Sequence, residues 1–249
     1  MSNPTPYSTY KRPEIKPILL TKQTVAHLFK LPDNIYTYLL NRIKIAEDNN
    51  IDWKDNLAGN ISRSLKLEDP ENMLIHGMFI DLLHSPENDP FTVELMDKEI
   101  TEAYKKIFPG HVDTGHNLEP YLSALWANWQ YKHEFNPLHN HHGIYSFVIW
   151  IDIPYSHYDE RKLDIARGSI NDYIGNFVFT YADGRGISNE VIPMTPNMNG
   201  WGCFFPSELS HQVYPFYTSD KPRISISGNV QFMETVVDDD NKRFSRQIN

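Results

Sequence analysis

The chain has a single cysteine, Cys203, in 249 residues. That excludes an intramolecular disulfide and every metal site built from several thiolates, zinc or iron–sulfur alike. A reducing compartment is the expected setting. Runs of lysine and arginine are also missing, and the formal net charge is −9. A protein that binds a duplex or lipid headgroups carries a basic patch, so neither nucleic acid nor a membrane is an expected partner. The sequence offers no run of about 18 apolar residues to cross a bilayer as a helix. Its opening, MSNPTPYSTYKRPEIKP, lacks the apolar core of a secretory signal. A cytoplasmic location is therefore expected, and the Asn60-Ile61-Ser62 sequon reads as a chance match.

What is present is a globular composition, 40% hydrophobic and 22% charged, which fits one domain or one domain with a large extension. The first part of the chain has helical texture. Pro32-Asp33-Asn34 starts a helix, and Ile35, Leu39, Ile43 and Ala46 recur at helical spacing until the polar stop EDNN. Asp69-Pro70 repeats the start signal ahead of Met73, Ile80 and Leu83. Asp89-Pro90 repeats it again before Val93, Met96, Ile100, Tyr104 and Ile107, closed by Pro109-Gly110. From Tyr121 the texture changes to short β-rich runs: YLSALWANW, YSFVIWI, GNFVFTY, GWGCFF, QVYPF and RISISGNVQF. With no helical crossovers between them, these runs predict an all-β barrel, sandwich or jelly roll. The polar stretch 156–174 is expected to be a surface loop or lid that contacts substrate, and VVDDDNKRFSRQIN a loose tail.

Residues 133–151 read HEFNPLHNHHGIYSFVIWI. Side chains two apart in a strand share a face, so His139 and His141 can converge on one ion while Asn140 points away. A catalytic metal needs at least a third ligand and open positions, and His211 in SELSHQVYPF is the candidate. Further on, Arg223, Ser225 and Ser227 alternate onto one face. An arginine on an inner face is an uncompensated buried charge unless an anion meets it, and a bidentate carboxylate is the natural one. A structural Asp or Glu is the alternative partner. His142 is expected to support the site or face solvent, and His133, His157, His76, His84, His111 and His116 to be surface or loop residues. Cys203 reads as a small core residue, since nothing stabilises a thiolate for a Cys203–His211 nucleophilic pair.

In order, the His-x-His pair at a strand start, the distal His211 and Arg223-x-Ser225 resemble the iron(II)/2-oxoglutarate-dependent oxygenases. More narrowly, WANWQYKHEFNPLHNHHGIYSFVIWIDIP, GNFVF, GCFFPSELSHQVYPF and RISISGNVQF are similar to a family of such oxygenases common in phage and marine bacterial genomes. The resemblance covers about residues 115 to 232. It implies a mainly β, double-stranded β-helix (jelly-roll) core over 115–235, with an N-terminal helical support region over 1–114 and the loose tail at 236–249. It also implies that His139, His141 and His211 hold Fe(II), and that Arg223 and Ser225 hold the far carboxylate of 2-oxoglutarate. Asn128, Ser146 and Trp150 are further candidates for the cosubstrate pocket, and strand packing explains them equally well. The implied reaction uses dioxygen to convert 2-oxoglutarate to succinate and CO2 while hydroxylating a small-molecule or peptidyl substrate. A virus-encoded protein acting in a host cytosol fits the same resemblance.

Many of these oxygenases carry a carboxylate where this chain has His141. Glu134 precedes the pair and Asp152 lies far along the strand, so neither has the matching spacing. Two rivals therefore stand beside the oxygenase. A three-histidine cupin-type enzyme would not use 2-oxoglutarate, but the usual cupin glutamate is missing near Tyr145 and Arg223-x-Ser225 would have no role. A noncatalytic jelly-roll interaction or virion-associated protein would keep only the vestige of a site.

Overall fold

The computed structural model describes residues 14–21, 24–79, 117–237 and 243–247. Its strands are β1 (Glu14–Thr21), β2 (Thr24–Lys30), β3 (Arg63–Lys66), β4 (Asn117–Gln130), β5 (Asn136–His139), β6 (Tyr145–Asp152), β7 (Phe177–Asp183), β8 (Gly186–Ile192), β9 (Trp201–Pro206), β10 (His211–Val213), β11 (Arg223–Val237) and β12 (Arg243–Gln247). Helix α1 spans Asp33–Asn49, and a single turn, α2, spans His157–Glu160. The strands form an eight-stranded sheet ordered β1-β2-β9-β6-β11-β4-β3, with β12 on β11, and a four-stranded sheet ordered β5-β10-β7-β8. From β4 to β11 the chain passes between these sheets, and its pairings are antiparallel. This is the jelly-roll, double-stranded β-helix arrangement, with the smaller sheet facing the central strands of the larger.

Strand β6 explains why its sequence shows no polar alternation: both of its faces are covered. Tyr145, Phe147, Ile149 and Ile151 pack on the outer side with Ile35, Leu39, Ile43 and Ala46 of α1. Val148 and Trp150 point inward, against Phe177, Phe179 and Phe205. The helical spacing expected for α1 is met at all four of its buried positions, and Asn50 ends the helix in the left-handed conformation (φ 48°). Asp69 acts as the expected cap, accepting from the N–H groups of Met73 and Leu74 at 2.9 Å each. The turn that follows is a π-helix, Ile75–Phe79. Ile80, Leu83 and the helix expected over 89–107 lie outside the described residues.

Three expectations are corrected here. The N-terminal region is not helical alone, since β1, β2 and β3 extend the larger sheet. Residues 243–247 of the tail, expected to be loose, pair with β11. The 156–174 stretch is not wholly a surface loop either, because His157 and Glu160 are buried. Glu160 accepts from the backbone N–H of Tyr217 at 2.8 Å and of Thr218 at 2.9 Å, and from the Thr218 hydroxyl.

Strand β11 lies between β4 and β6 at closest approach around Gly228, where a Cβ would stand 2.6 Å from the Phe147 ring and 2.7 Å from the Ala124 carbonyl oxygen. Gly228→Ala is thus expected to cost about 1–3 kcal/mol through overpacking. Urea unfolding checks this, and an unchanged midpoint would show that the two strands part easily.

Candidate metal centre

The last residue of β5, His139, pairs directly across the ladder with the first residue of β10, His211. His141 follows in the loop, where its N–H donates to the Ser207 carbonyl at 2.9 Å. This brings the three imidazoles together, with one ligand atom of each lying within 4.8 Å of the others. The His139 Nδ1 stands 2.7 Å from the Pro137 carbonyl oxygen and the His211 Nδ1 stands 3.0 Å from that of Leu209. A carbonyl can only accept, so both Nδ1 atoms carry the proton and both Nε2 atoms offer a lone pair. The Nε2 atoms of His141 and His211 are 3.2 Å apart. Nitrogens held by one ion at the ~2.0–2.1 Å usual for imidazole–metal bonds stand about 3 Å apart, so the donor set fits a divalent cation.

Burial holds all three imidazoles neutral, the form that binds metal. Desolvation lowers the His139 pKa against two backbone contacts that raise it. Burial, and then the neighbouring His139 and His142, push His141 down to about 3. His211, fully enclosed, is depressed well below the ordinary range for the same reasons, desolvation first. The sign of the consequence follows directly. The unfolded chain, with imidazoles near 6.5, takes up protons before the folded one does. Stability of the metal-free protein is therefore intact above about pH 6.5 and falls below it, by on the order of 1 kcal/mol per pH unit for each imidazole. Urea midpoints measured between pH 7.5 and 5.5 check this; a flat profile would mean the imidazoles are solvated.

No carboxylate joins this group among the described residues. Glu134 is occupied elsewhere, accepting from the backbone N–H of Tyr131 at 2.8 Å and of Ser62 at 3.1 Å. His142 lines the mouth of the same cleft but remains exposed and outside the triad. His133 and His76 are exposed, as expected, whereas His84, His111 and His116 lie outside the described residues.

The cleft has a volume of about 270 Å³, and Arg223 reaches into it from the start of β11. Arg223 is only 3% exposed. Its Nη1 donates to the Tyr155 hydroxyl at 2.7 Å and to the Gly175 carbonyl at 3.2 Å, and its Nη2 donates to the Gln130 side-chain carbonyl. Gln130 is oriented in turn by donating its Nε2 to the Glu134 carbonyl at 2.7 Å. No carboxylate lies within ion-pairing distance of Arg223 among the described residues. The structural Asp or Glu weighed as its alternative partner is thus absent from that set. Ser225 sits in register between Asn128 of β4 and Trp150 of β6, and all three line the cleft. Ser146 does not; its hydroxyl is 2.8 Å from that of Ser207 and donates to Asn229 Oδ1 at 3.0 Å.

Several lining residues escaped the sequence reading. The 53–61 segment covers one side of the cleft and is tied by the Asn60–Phe135 bridge to the residue that precedes β5. A bulge where β5 meets β10 gives β5 an extra residue and brings Asn136, like His139, to the cleft wall. Its Oδ1 packs so closely on Gly59 that a Cβ there would lie 1.8 Å away. No residue of 156–174 lines the cleft, which removes the expected lid from the site.

Residues 124–229 match the model of the family described as "Putative 2OG-Fe(II) oxygenase". No curated protein matches the chain. Among solved structures, the chain is similar to a prolyl hydroxylase from Trichoplax adhaerens, in complex with a hypoxia inducible factor oxygen degradation domain peptide fragment. That match has 10% identity and TM-score 0.41, and covers 86% of this chain and 84% of the other. A Pseudomonas putida prolyl-4-hydroxylase is similar at 13% identity and TM-score 0.43, over 84% of this chain and 93% of the other.

Proposed function

We infer, from the match of residues 124–229 to the 2OG-Fe(II) oxygenase family model, a dioxygenase that hydroxylates its substrate while 2-oxoglutarate is converted to succinate and CO2. His139, His141 and His211 would hold Fe(II), and Arg223 with Ser225 would hold the far carboxylate of the cosubstrate. Bound iron supplies activation of dioxygen by electron transfer, chemistry beyond any side chain. The chain supplies position and enclosure. Trp150, Phe177 and Phe205 make an apolar wall beside the imidazoles, and Asn128 and Ser225 make a polar one.

The observation that carries this reading is the state of Arg223. A guanidinium has five N–H donors, and among the described residues neutral acceptors take three of them. The two that remain, on Nε and Nη2, suit one carboxylate bound through both oxygens. A buried cation without an anion is costly, and a dicarboxylate whose other end chelates the metal meets it. The substrate is proposed only as a small molecule or peptidyl side chain. A core over 115–235 supported by 1–114 is the proposed organisation, and the lone buried Cys203 supports a cytosolic setting. Among the described residues no helix is long and apolar enough to cross a membrane.

Anaerobic addition of iron(II) and then 2-oxoglutarate tests the reading. A weak visible charge-transfer band of the chelated 2-oxo acid is expected. Iron binding with no band at saturating 2-oxoglutarate would remove the cosubstrate from the proposal.

A further inference from the structure

The 156–174 insert, which does not line the cleft, is flanked by two of the three residues that hydrogen-bond Arg223. Tyr155 precedes it and Gly175 follows it. The Tyr155 hydroxyl accepts from Arg223 Nη1 at 2.7 Å and donates to the Gly175 carbonyl, which also accepts from Nη1 at 3.2 Å. The phenol keeps its proton, because burial outweighs the opposing effect of Arg223 and holds its pKa up at about 12. It can therefore accept from the arginine and donate to the carbonyl at once. Its ring is fixed by stacking on Phe216, with centroids 4.3 Å apart and planes at 15°.

Within the insert, Glu160 is fully buried and binds the backbone of Tyr217 and Thr218, on the segment that leads into Arg223. Gly175 completes the closure. It has φ +70°, and a Cβ there would stand 2.9 Å from the Tyr155 ring and 3.3 Å from Glu160 Cγ. The base of the insert is thus a closed clasp: Tyr155 and Gly175 on the guanidinium, Glu160 on the chain that carries it. Gln130 holds the guanidinium from β4, so its position is fixed from two elements.

We propose that the base of the 156–174 insert, through Tyr155, Gly175 and Glu160, is the device that positions Arg223 for the cosubstrate carboxylate, with Tyr155 as the positioning residue. This rests on the cosubstrate reading above and assigns the insert to the cosubstrate side of the site. On this proposal the clasp holds the two N–H groups that no described residue takes in one place within the cleft that the three imidazoles also line. It therefore sets the length of 2-oxo diacid that can reach both ends.

Tyr155→Phe isolates the hydroxyl, since the ring and its stack on Phe216 remain. With iron(II)-loaded full-length protein under anaerobic conditions, the 2-oxoglutarate midpoint is expected to rise about tenfold or more, the equivalent of one hydrogen bond to a charged group. The iron titration should not change. Preference for 2-oxoglutarate over oxaloacetate, one methylene shorter, should also shrink, which a purely structural role would leave untouched. Gly175→Ala, which displaces the Tyr155 ring, should give the same pattern. An unaltered midpoint and preference in both variants, with Arg223→Ala losing the band, would overturn the clasp alone. Equal losses of iron and 2-oxoglutarate binding in Tyr155→Phe would also overturn it, by showing a general effect on the fold. Wild-type protein that binds iron but gives no band would overturn both the clasp and the cosubstrate reading.

Discussion

Replacing His211 with alanine is expected to remove iron(II) binding, with affinity falling by more than about 100-fold. Loss of a residue that merely orients a metal ligand costs roughly 10–100-fold, and loss of a ligand should exceed that. His211 is the most enclosed of the three imidazoles and sits on the strand paired on both sides, with β5 and with β7. Its Nδ1 contact with Leu209 and its stacking on Phe177 leave it one useful direction, toward His139 and His141. Anaerobic iron titration measures the effect, with His211→Gln as a second variant that keeps more of the side-chain volume. His142→Ala is the matched control. His142 is exposed at the mouth of the same cleft, so its loss should leave the iron titration within about twofold, near the noise of a surface change. Retention of tight iron binding by both His211 variants would mean that the three imidazoles are not the metal centre.

The three clustered histidines were legible because the information that selects them is local. Two-residue spacing picks His139 and His141 out of four nearby histidines, and the strand start at His211 supplies a partner for them. Even so, the convergence is not that of one continuous strand, since β5 ends at His139 and His141 is set by its bond to Ser207 in the following loop. Helix α1 was legible for the same reason, through the spacing of its four buried apolar residues. Other elements lacked a periodic signal. Strand β8 is fully buried only at Ile192, so it has no continuous apolar face to betray it. Strand β5 is four residues long and contains a proline. The 53–61 wall and the Tyr155–Gly175 clasp come together only through the fold. Their partners are distant in the chain, Phe135 for Asn60 and Arg223 for Tyr155, a separation no spacing rule reaches. The insert was misread because its polar composition says exposed, while Glu160, which helps anchor it, is a buried carboxylate satisfied by backbone N–H groups and the Thr218 hydroxyl.

Arg223→Ala is expected to abolish the 2-oxoglutarate band at concentrations that saturate the wild type, with affinity lowered by about 100-fold or more, and to leave iron binding intact. The magnitude follows from removing one partner of a buried, hydrogen-bonded charge pair, which costs about 2–5 kcal/mol or more. The separation of the two effects follows from position: Arg223 makes its hydrogen bonds to Tyr155, Gly175 and Gln130, and none of them touches the imidazoles. Arg223→Lys sharpens the test, because an ammonium keeps the charge but not the planar fork. If charge alone drew the cosubstrate in, the lysine variant would bind nearly as well as wild type. The geometry argues otherwise, because two adjacent N–H groups remain after the clasp and Gln130 have taken theirs, and a lysine reproduces neither their spacing nor their direction. A loss of about tenfold or more in Arg223→Lys is expected, intermediate between wild type and alanine. Full affinity in the alanine variant would sink the cosubstrate assignment. Full affinity in the lysine variant would leave the charge and remove the fork. Three neutral imidazoles make this test more telling than it would be beside a metal-bound carboxylate. With no anionic ligand among the described residues, the 2-oxoglutarate dianion of the proposed function would be the main negative charge the site receives, and Arg223 would be the buried cation that meets its far end.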